Sequence, residues 1–379
     1  MGTSITSEPL RIEVVTDTYV PDINGVSLSL GKLCGGLRVL GHQVEIIRSG
    51  RAHGPDESTV FSWPLPGYWE IKVGAPWPGQ LLRRWQKDRP DVVYVAIETP
   101  LGFSATAAAR RLGIPVIGGF HTNFSEYLDQ YGVPWLGKLV GLYQKWFHER
   151  LNQTVVPSPD ALAKLHHAGF SKVTVLGRGV DTQLFNPSRK NPDFAARYGI
   201  SPGARIVLIV GRISAEKNIG LAIRTFREMR KHSSELACIV VGDGPVRQRL
   251  QRENPDVIFP GYLTGEALAA CYASCDILLF PSETETFGNV LLEGMASGLA
   301  ILAYDYAAAA WHGVDSENLI KVPKGNAPEF ISAALRLLDE DFRTVLGQGA
   351  RTTAESLGWP IVVGELEAIF RRVIANQSP

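Results

Sequence analysis

Short apolar runs alternate with longer segments of helical periodicity along the whole chain of 379 residues. This order predicts repeated strand–helix units that build parallel sheets, whose doubly buried strands are continuous apolar runs. In the first half we predict the strands Arg11–Thr16, Val44–Arg48, Val92–Ala96, Val116–Gly118, Thr154–Val156 and Val173–Leu176. The second half repeats the plan with Ile206–Val210, Cys238–Val241, Val257–Phe259, Ile277–Phe280, Ala300–Ala303 and Leu319–Val322.

The strand pattern is interrupted once, and the chain is long enough for two domains. Residues 187–202 are rich in proline and polar residues, so we predict a linker there with one short helix. The predicted fold is α/β, with one Rossmann-like domain over residues 1–186 and a second over residues 203–358. The helix within residues 359–379 is a candidate to pack back on the first domain. Because parallel sheets bind ligands at their carboxyl edges, we expect the site in a cleft between the two edges.

Composition and charge exclude several classes of protein. Lys plus Arg and Asp plus Glu both number 38, so the chain lacks the basic excess of nucleic-acid-binding domains. The N-terminal residues do not resemble a signal peptide, and no apolar stretch reaches the roughly 20 residues of a membrane span. Four cysteines do not make a disulfide framework in a chain of this size. We therefore expect a cytoplasmic protein with reduced thiols.

A glycine follows the first predicted strand where the chain turns into a helix. Gly25 ends a loop that begins at Asp17, and a helical pattern then runs to Gly41. Backbone N–H groups at such a helix start can bind an anion, although a glycine here can equally serve a plain turn. The loop is neither a G-x-G-x-x-G fingerprint nor a P-loop, which argues against dinucleotide dehydrogenases and P-loop kinases.

Two cations follow the first strand of the second half. Gly211 makes a turn after the strand, and Arg212 and Lys217 follow five residues apart. A guanidinium can bind phosphate oxygens in a bidentate manner and an ammonium can act as a point charge. Both would stabilise the negative charge of a departing diphosphate. The alternative is a surface cluster with Glu216, which would contribute little energy.

Two glutamates eight residues apart flank the start of a predicted helix. Glu285 lies in the loop before this helix, which we expect to begin near Phe287 and to hold Glu293 about two turns inside. The first N–H groups of the helix can meet a diphosphate, and the carboxylates can accept hydrogen bonds from hydroxyl groups of a sugar or a ribose. The alternatives are a dipole-favoured acid for Glu285 and a solvated helix face for Glu293.

Together these motifs resemble glycosyltransferase family 4, whose members are retaining enzymes with the two-domain GT-B fold. The match covers nearly the whole chain and consists of the glycine loop before Gly41-His42, the turn Arg178-Gly-Val-Asp181, the pair Arg212 and Lys217, and the motif Glu285-x7-Glu293. The loops at Asp17–Gly25 and Phe120–Phe124 look closest to the branch of GDP-mannose-dependent α-mannosyltransferases and sulfoquinovosyl-diacylglycerol synthases. Several members of that branch glycosylate membrane lipids.

The resemblance implies transfer of a hexose, either mannose or a glucose-type sugar, from a nucleotide diphosphate sugar to a hydroxyl acceptor. It implies an acceptor-binding first domain, a nucleotide-sugar-binding second domain and a lipid or glycan acceptor. The catalytic set would be His121, Arg212, Lys217 and Glu285, with a structural core histidine as the alternative for His121. The donor would contact Gly25, Arg178, Gly211, Gly261, Tyr262, Leu263, Phe287, Gly288, Asn289, Val290 and Glu293.

The sequence departs from the family in two places and offers no obvious metal site. The paired glycine of the first loop is Asn24-Gly25, and the stretch Tyr304–Trp311 lacks the glycine and glutamate of many relatives. We expect no metal and no other cofactor, because the D-x-D at Asp339–Asp341 lies between helical patterns rather than at a strand end.

A helix predicted over residues 134–151 has a broad apolar face with Trp146 and the basic residues Lys138 and Lys145. Trp and basic residues beside an apolar face suit a peripheral contact with the inner face of a membrane, and Trp77 and Trp85 lie near further basic residues. A core helix of the first domain accounts for most of the same pattern.

Four other functions are alternatives for this architecture. A phosphorylase-like enzyme would need a pyridoxal lysine and a longer chain, and a nucleotide-sugar epimerase would use other acids. A protein that binds a sugar nucleotide without transfer would differ only in turnover. A glycosyltransferase that acts on a soluble glycan or a small molecule is the alternative to a lipid acceptor.

Overall fold

The computed structural model describes residues 8–22, 25–65, 68–75, 77–120, 134–285 and 287–377. The chain divides into two compact units. The first unit comprises residues 1–178 and 359–379, and the second comprises residues 179–358. Both are Rossmann-like, with a parallel sheet covered by helices, as the alternating pattern predicted.

The first unit contains nine described strands. They are β1 (Arg11–Thr16), β2 (Gln43–Ser49), β3 (Glu57–Val60), β4 (Ser62–Leu65), β5 (Tyr68–Gly74), β6 (Val92–Val95), β7 (Val116–Gly119), β8 (Gln153–Val156) and β9 (Val173–Val175). Its described helices are α1 (Gly25–Val39), α2 (Pro78–Lys87), α3 (Pro100–Arg111), α4 (Pro134–His148), α5 (Pro159–His167) and α14 (Trp359–Ala375).

Seven of these strands form one parallel sheet in the order β3-β2-β1-β6-β7-β8-β9. Neighbouring residues of its central strands face opposite cores, since Ile12 and Val14 pack in one buried cluster and Val15 in another. This double burial explains why the six predicted strands are continuous apolar runs. The sequence did not predict β3, a short edge strand with polar residues, or the antiparallel hairpin of β4 and β5.

The last helix, α14, packs against α1 in the core of the first unit. The two helices approach so closely at Gly36 that a Cβ there would lie 2.4 Å from Val363 Cγ2. A larger residue at position 36 would therefore separate them. The buried face of α14 includes Leu366 and Phe370, which contact the same core as β1 and β6.

The second unit contains one six-stranded parallel sheet in the order β12-β11-β10-β13-β14-β15 among the described residues. Its strands are β10 (Arg205–Val210), β11 (Leu236–Val241), β12 (Ile258–Gly261), β13 (Ile277–Phe280), β14 (Ala300–Tyr304) and β15 (Ile320–Val322). Its helices are α6 (Phe194–Arg197), α7 (Ile219–His232), α8 (Arg247–Glu253), α9 (Gly265–Ser274), α10 (Asn289–Ala296), α11 (Ala308–His312), α12 (Ala327–Ala334) and α13 (Glu340–Glu355). All six strands predicted in this half are present.

The segment that we expected to be a linker belongs to the second unit. The division falls between Arg178 and Gly179 rather than at residue 186. Phe194 and Ile200 are buried in the core of the second unit, and the backbone N–H of Asn191 donates to Ser274 Oγ at 3.0 Å. Proline and polar residues correctly indicated irregular backbone, but two apolar side chains suffice to anchor it.

Two further expectations concern membrane spans and thiols. In the part of the chain that the structure describes, none of the helices is long and apolar enough to cross a bilayer. All four cysteines are free thiols, and only Cys275 is not fully buried.

Candidate active site

Three glycine turns define the carboxyl edge of the second sheet. Gly211, Gly242 and Gly261 end the adjacent strands β10, β11 and β12 with positive φ angles of 147°, 139° and 89°. A Cβ on Gly242 would lie 1.9 Å from the carbonyl oxygen of Gly211, so only glycine fits there. The N–H of Gly242 donates to the carbonyl of Gly261 at 2.9 Å. The edge is thus a fixed backbone surface rather than a set of loose loops.

Lys217 and Glu285 form an ion pair at this edge. Lys217 ends a 3-10 turn (Ala215–Lys217), and its Nζ donates to Glu285 Oε1 at 2.5 Å and to the Thr284 carbonyl at 3.0 Å. The two side chains are 20% and 15% exposed, so the pair is partly accessible. It joins the loop after β10 to the loop after β13.

The expected alternative for the cations, a surface cluster with Glu216, is wrong. Glu216 Oε1 instead accepts a hydrogen bond from Ser214 Oγ at 2.6 Å, and its carbonyl accepts from the Glu283 N–H at 3.0 Å. Arg212 directly follows Gly211 and is exposed. Two cations and a carboxylate therefore lie on loops that leave neighbouring strands, β10 and β13.

Helix α10 begins at Asn289, two residues later than we expected. Gly288 precedes it in a left-handed conformation, with φ 101° and ψ 59°, which favours glycine. Glu293 therefore lies about one turn inside the helix rather than two. The first N–H groups of α10 follow Glu285 closely enough in sequence to serve the same ligand.

Glu293 is held by a tyrosine that the sequence did not reveal. The hydroxyl of the buried Tyr272 on α9 donates to Glu293 Oε2 at 2.9 Å. Burial raises the pKa of Glu293 to about 7, although this hydrogen bond acts in the opposite direction. Glu293 is partly buried, so the solvated helix face is also wrong.

The turn after β12 lies near the same glutamate. Tyr262 is 52% exposed, and its pKa is raised by burial of its hydroxyl and by the negative charge of Glu293. A Cβ on Gly261 would meet a guanidinium nitrogen of Arg247 at 3.2 Å, which places this cation beside the turn. An exposed aromatic ring, a cation and a carboxylate can together hold a base and a ribose.

Comparisons with known proteins identify the family. The model described as Glycosyltransferase Family 4 matches residues 23–184, and that of Glycosyl transferases group 1 matches residues 204–340. A "GDP-mannose-dependent alpha-mannosyltransferase" of Mycobacterium tuberculosis is 31% identical over 97% of this chain and 98% of its own length. The chain belongs to glycosyltransferase family 4. The resemblance inferred from the motifs is thereby confirmed, and the protein is a glycosyltransferase.

A more distant relative and a solved structure are also similar to this chain. An "Alpha-monoglucosyldiacylglycerol synthase" of Acholeplasma laidlawii is 26% identical over 78% of this chain and 81% of its own length. The solved structure of a sucrose-phosphate synthase from Thermosynechococcus elongatus superposes with a TM-score of 0.77 at 18% identity. That superposition covers 97% of this chain and all of the other chain and supports the GT-B fold.

The second unit of the glycosyltransferase assembles most of the predicted site residues at one sheet edge. These are Gly211, Arg212, Lys217, Gly261, Tyr262, Leu263, Glu285, Phe287, Gly288, Asn289, Val290 and Glu293. Sequence reasoning missed Tyr272, Gly242 and Arg247. The glycine pair of Gly242-Asp-Gly244 after a strand was a visible signal, whereas Tyr272 looks like any apolar position of a helix.

The remaining predicted residues belong to the first unit. Gly25 is the exposed first residue of α1, and open space surrounds the position that its Cβ would take. Arg178 is the last residue of the first unit and is buried, which lowers its pKa. His121, like residues 122–133, lies outside the described residues.

Two groups of side chains at the carboxyl edge of the first sheet have partners within the unit. The guanidinium of Arg48 is 3% exposed and donates to Asp22 Oδ2 at 2.8 Å, to Glu57 Oε2 at 3.4 Å and to the Val20 carbonyl at 3.1 Å. In the loop after β6, Glu98 Oε1 lies 2.9 Å from His148 Nε2. Both networks fix loops that follow strands.

Proposed function

We propose that this glycosyltransferase transfers mannose from GDP-mannose to a hydroxyl acceptor, with retention of configuration at the anomeric carbon. The observation that carries the proposal is the contact of Lys217 with Glu285 beside the start of α10. A cation, a carboxylate and the N–H groups at the start of a helix are what a sugar diphosphate needs in one place. The mannosyltransferase that is 31% identical supports this choice of donor among hexoses.

Each group has a distinct task in this proposal. Arg212, Lys217 and the N–H groups at the start of α10 stabilise the diphosphate as its bond to the anomeric carbon breaks. Glu285 accepts hydrogen bonds from sugar hydroxyls, and Glu293 accepts them from the ribose. The acceptor hydroxyl attacks from the face that the diphosphate leaves and gives its proton to the departing diphosphate. The configuration at the anomeric carbon is therefore kept.

A donor screen tests the proposal directly. We expect GDP and GDP-mannose to raise the melting temperature, since a ligand that binds only the folded state stabilises it. We also expect GDP-mannose to be consumed, with an α-linked product seen by NMR. A preference for UDP-glucose would replace the donor but keep the chemistry. Binding without hydrolysis or transfer would instead favour a sugar-nucleotide-binding protein.

We also propose that transfer needs no metal or other cofactor. The partly exposed Lys217 and the exposed Arg212 supply positive charge where the diphosphate would lie. EDTA should leave the rate unchanged. Activity that disappears with EDTA and returns with magnesium or manganese would contradict this proposal.

The acceptor that we propose is a lipid, reached from a bilayer surface that α4 contacts. On this helix Leu139, Leu142, Tyr143 and Trp146 are between 39% and 66% exposed, whereas Phe147 is buried in the core. Trp146 stacks on Phe103 of α3 with ring centroids 5.7 Å apart, and the Arg150 guanidinium lies 3.5 Å from its ring centre. An aromatic patch edged by a cation suits a lipid–water interface.

Trp85 and one of the basic residues near it in sequence, Arg84, do not belong to this surface. Trp85 is 1% exposed and packs in the core of the first unit. Arg84 is engaged with Glu13 and Glu45. Trp77 is 53% exposed and remains compatible with lipid contact.

Sedimentation with vesicles tests the membrane contact. We expect the protein to pellet with vesicles that contain anionic lipid, and less at high salt because salt screens basic residues. Leu142→Glu and Lys145→Glu should each weaken pelleting while GDP binding stays unchanged. Val345→Glu is a matched control for Leu142→Glu, because Val345 is also an exposed apolar residue of a helix but belongs to the second unit. Wild-type protein that ignores such vesicles at low salt would favour a soluble acceptor.

A further inference from the structure

Two hydrogen bonds join the turn that follows β14 to the loop that carries Glu285. The Tyr306 hydroxyl donates to the carbonyl of Glu285 at 3.0 Å, and the N–H of Ala308 donates to the carbonyl of Phe287 at 2.9 Å. These two bonds hold the carbonyls on both sides of residue 286. Since β13 and β14 are neighbours in the sheet, the turn and the loop leave the same edge side by side.

Ala307 adopts a backbone conformation that costs an L-residue energy. Its φ of 52° and ψ of −125° lie in a region that glycine favours, and it is 3% exposed. This conformation lies between the two residues that donate to the loop. A strained residue persists only where its surroundings impose it, and such residues concentrate at functional sites.

Aromatic contacts also join the residues after β14 to the start of α10. The Phe287 ring is 4% exposed and meets the edges of Trp311 and His312 with centroids 6.2 Å and 6.0 Å away. On the other side, the Lys324 ammonium lies 4.2 Å from the centre of the Tyr306 ring. Within the stretch 304–311, which departs from the pattern of many relatives, residues 306–311 are therefore packed against the proposed sugar site.

We propose that Tyr306 is a positioning residue, which orients the Glu285 carboxylate toward the transferred sugar through its hydrogen bond to the Glu285 carbonyl. The inference rests on the proposed function, because it assigns Glu285 to the sugar hydroxyls. Lys217 holds the side chain of Glu285, and Tyr306 holds its backbone. The hydrogen bond of Tyr306 acts on the residue assigned to the sugar hydroxyls and not on the residues assigned to the diphosphate or the ribose. We therefore expect its effect to be confined to the sugar.

Tyr306→Phe tests this by removing one hydroxyl. We expect the Kd for GDP to stay unchanged, while the Kd for GDP-mannose rises and kcat/KM falls by roughly five- to tenfold, the effect of one lost hydrogen bond. In a Glu285→Gln background the same change should have little further effect, because the carboxylate that Tyr306 orients is already absent. Full additivity of the two substitutions would overturn the proposal.

Tyr304→Phe is the matched control. The Tyr304 hydroxyl is buried and has no hydrogen-bond partner among the described residues. Its loss should therefore leave the Kd for GDP-mannose and the rate of transfer unchanged. A Tyr306→Phe protein with normal transfer would overturn the proposal, as would one that unfolds or loses GDP along with the sugar. Wild-type protein that neither binds GDP nor transfers mannose would instead contradict the proposed function.

Discussion

The carboxyl edges of the two sheets use charge in opposite ways. At the edge of the second sheet, Lys217 and Glu285 keep part of their side chains exposed, and Arg212 is exposed. At the edge of the first sheet, the Arg48 guanidinium is almost completely buried and bound to Asp22 and Glu57. The same strand–helix architecture therefore presents charge in one unit and hides it in the other.

This difference follows from the cost of burying ions. A buried charge is tolerated only with good partners, so Arg48 and the Glu98–His148 pair serve the shape of their own loops. Charges that remain partly exposed can exchange their contacts for those of a ligand. What the first unit exposes instead is aromatic surface, such as Trp146. The contrast suits a charged donor on the second unit and an apolar acceptor on the first.

The largest effect on catalysis should come from removing the exposed cations at the edge of the second sheet. Arg212→Ala and Lys217→Ala should each lower kcat/KM by about 10²-fold or more, because the departing diphosphate loses compensation of its charge. Steady-state rates with varied GDP-mannose measure the effect. Lys231→Ala, at an exposed lysine of α7, should leave the rate unchanged. Near-normal rates in both folded variants would mean that the diphosphate binds elsewhere.

A substitution at the first edge should affect stability instead. Arg48→Ala leaves the Asp22 and Glu57 carboxylates without their partner and should lower the free energy of unfolding by about 3 kcal/mol. Thermal or urea unfolding measures the loss, and the affinity for GDP should stay the same. A variant with normal stability that loses transfer would show that this charge acts on the substrate, which would break the contrast.

The titration of Glu293 should make the stability of the protein depend on pH. Its pKa lies near 7 rather than at the ordinary 4.5, so between these values the folded protein keeps a proton that the unfolded chain has released. Stability should therefore fall as pH rises from about 4.5 to 7, and Glu293→Gln should remove that part of the slope.

Donor binding should respond to the same titration in the opposite direction. Ribose hydroxyls donate to a carboxylate better than to a carboxylic acid, so KM for donor should fall as pH rises through about 7. Glu293→Gln should raise KM roughly tenfold with little change in kcat and should flatten this dependence. An unchanged KM would remove Glu293 from the site.

The smallest expected effect concerns the strained turn. Ala307→Gly should raise the melting temperature by about 2 to 4 °C, because glycine adopts a positive φ without a steric cost. Ala308→Gly is its control, since Ala308 has ordinary helical geometry and glycine should destabilise it. Calorimetry measures both. A lower melting temperature for both variants would mean that the turn stores no strain.

The strands were predicted correctly because parallel strands that are buried on both faces are continuous apolar runs in the sequence. The boundary between the two units was predicted less well, because Phe194 and Ile200 anchor in the second unit a segment whose proline content suggested a linker. The hairpin of β4 and β5 was missed because its short strands carry no continuous apolar run. In the site, Lys217 and Glu285 were predicted separately, but their contact at 2.5 Å depends on the neighbouring positions of β10 and β13.

The sequence by itself determined the parallel α/β architecture, the family and most residues of the candidate site, because these depend on local periodicity and on motifs of fixed spacing. Only the tertiary structure decided which charges are hidden and which are accessible. Arg48 lies near the end of the buried strand β2, and Arg212 follows the buried strand β10. Arg48 is nevertheless buried, whereas Arg212 is exposed. Partners far apart in sequence make that difference, as Glu57 does for Arg48 and Tyr272 does for Glu293.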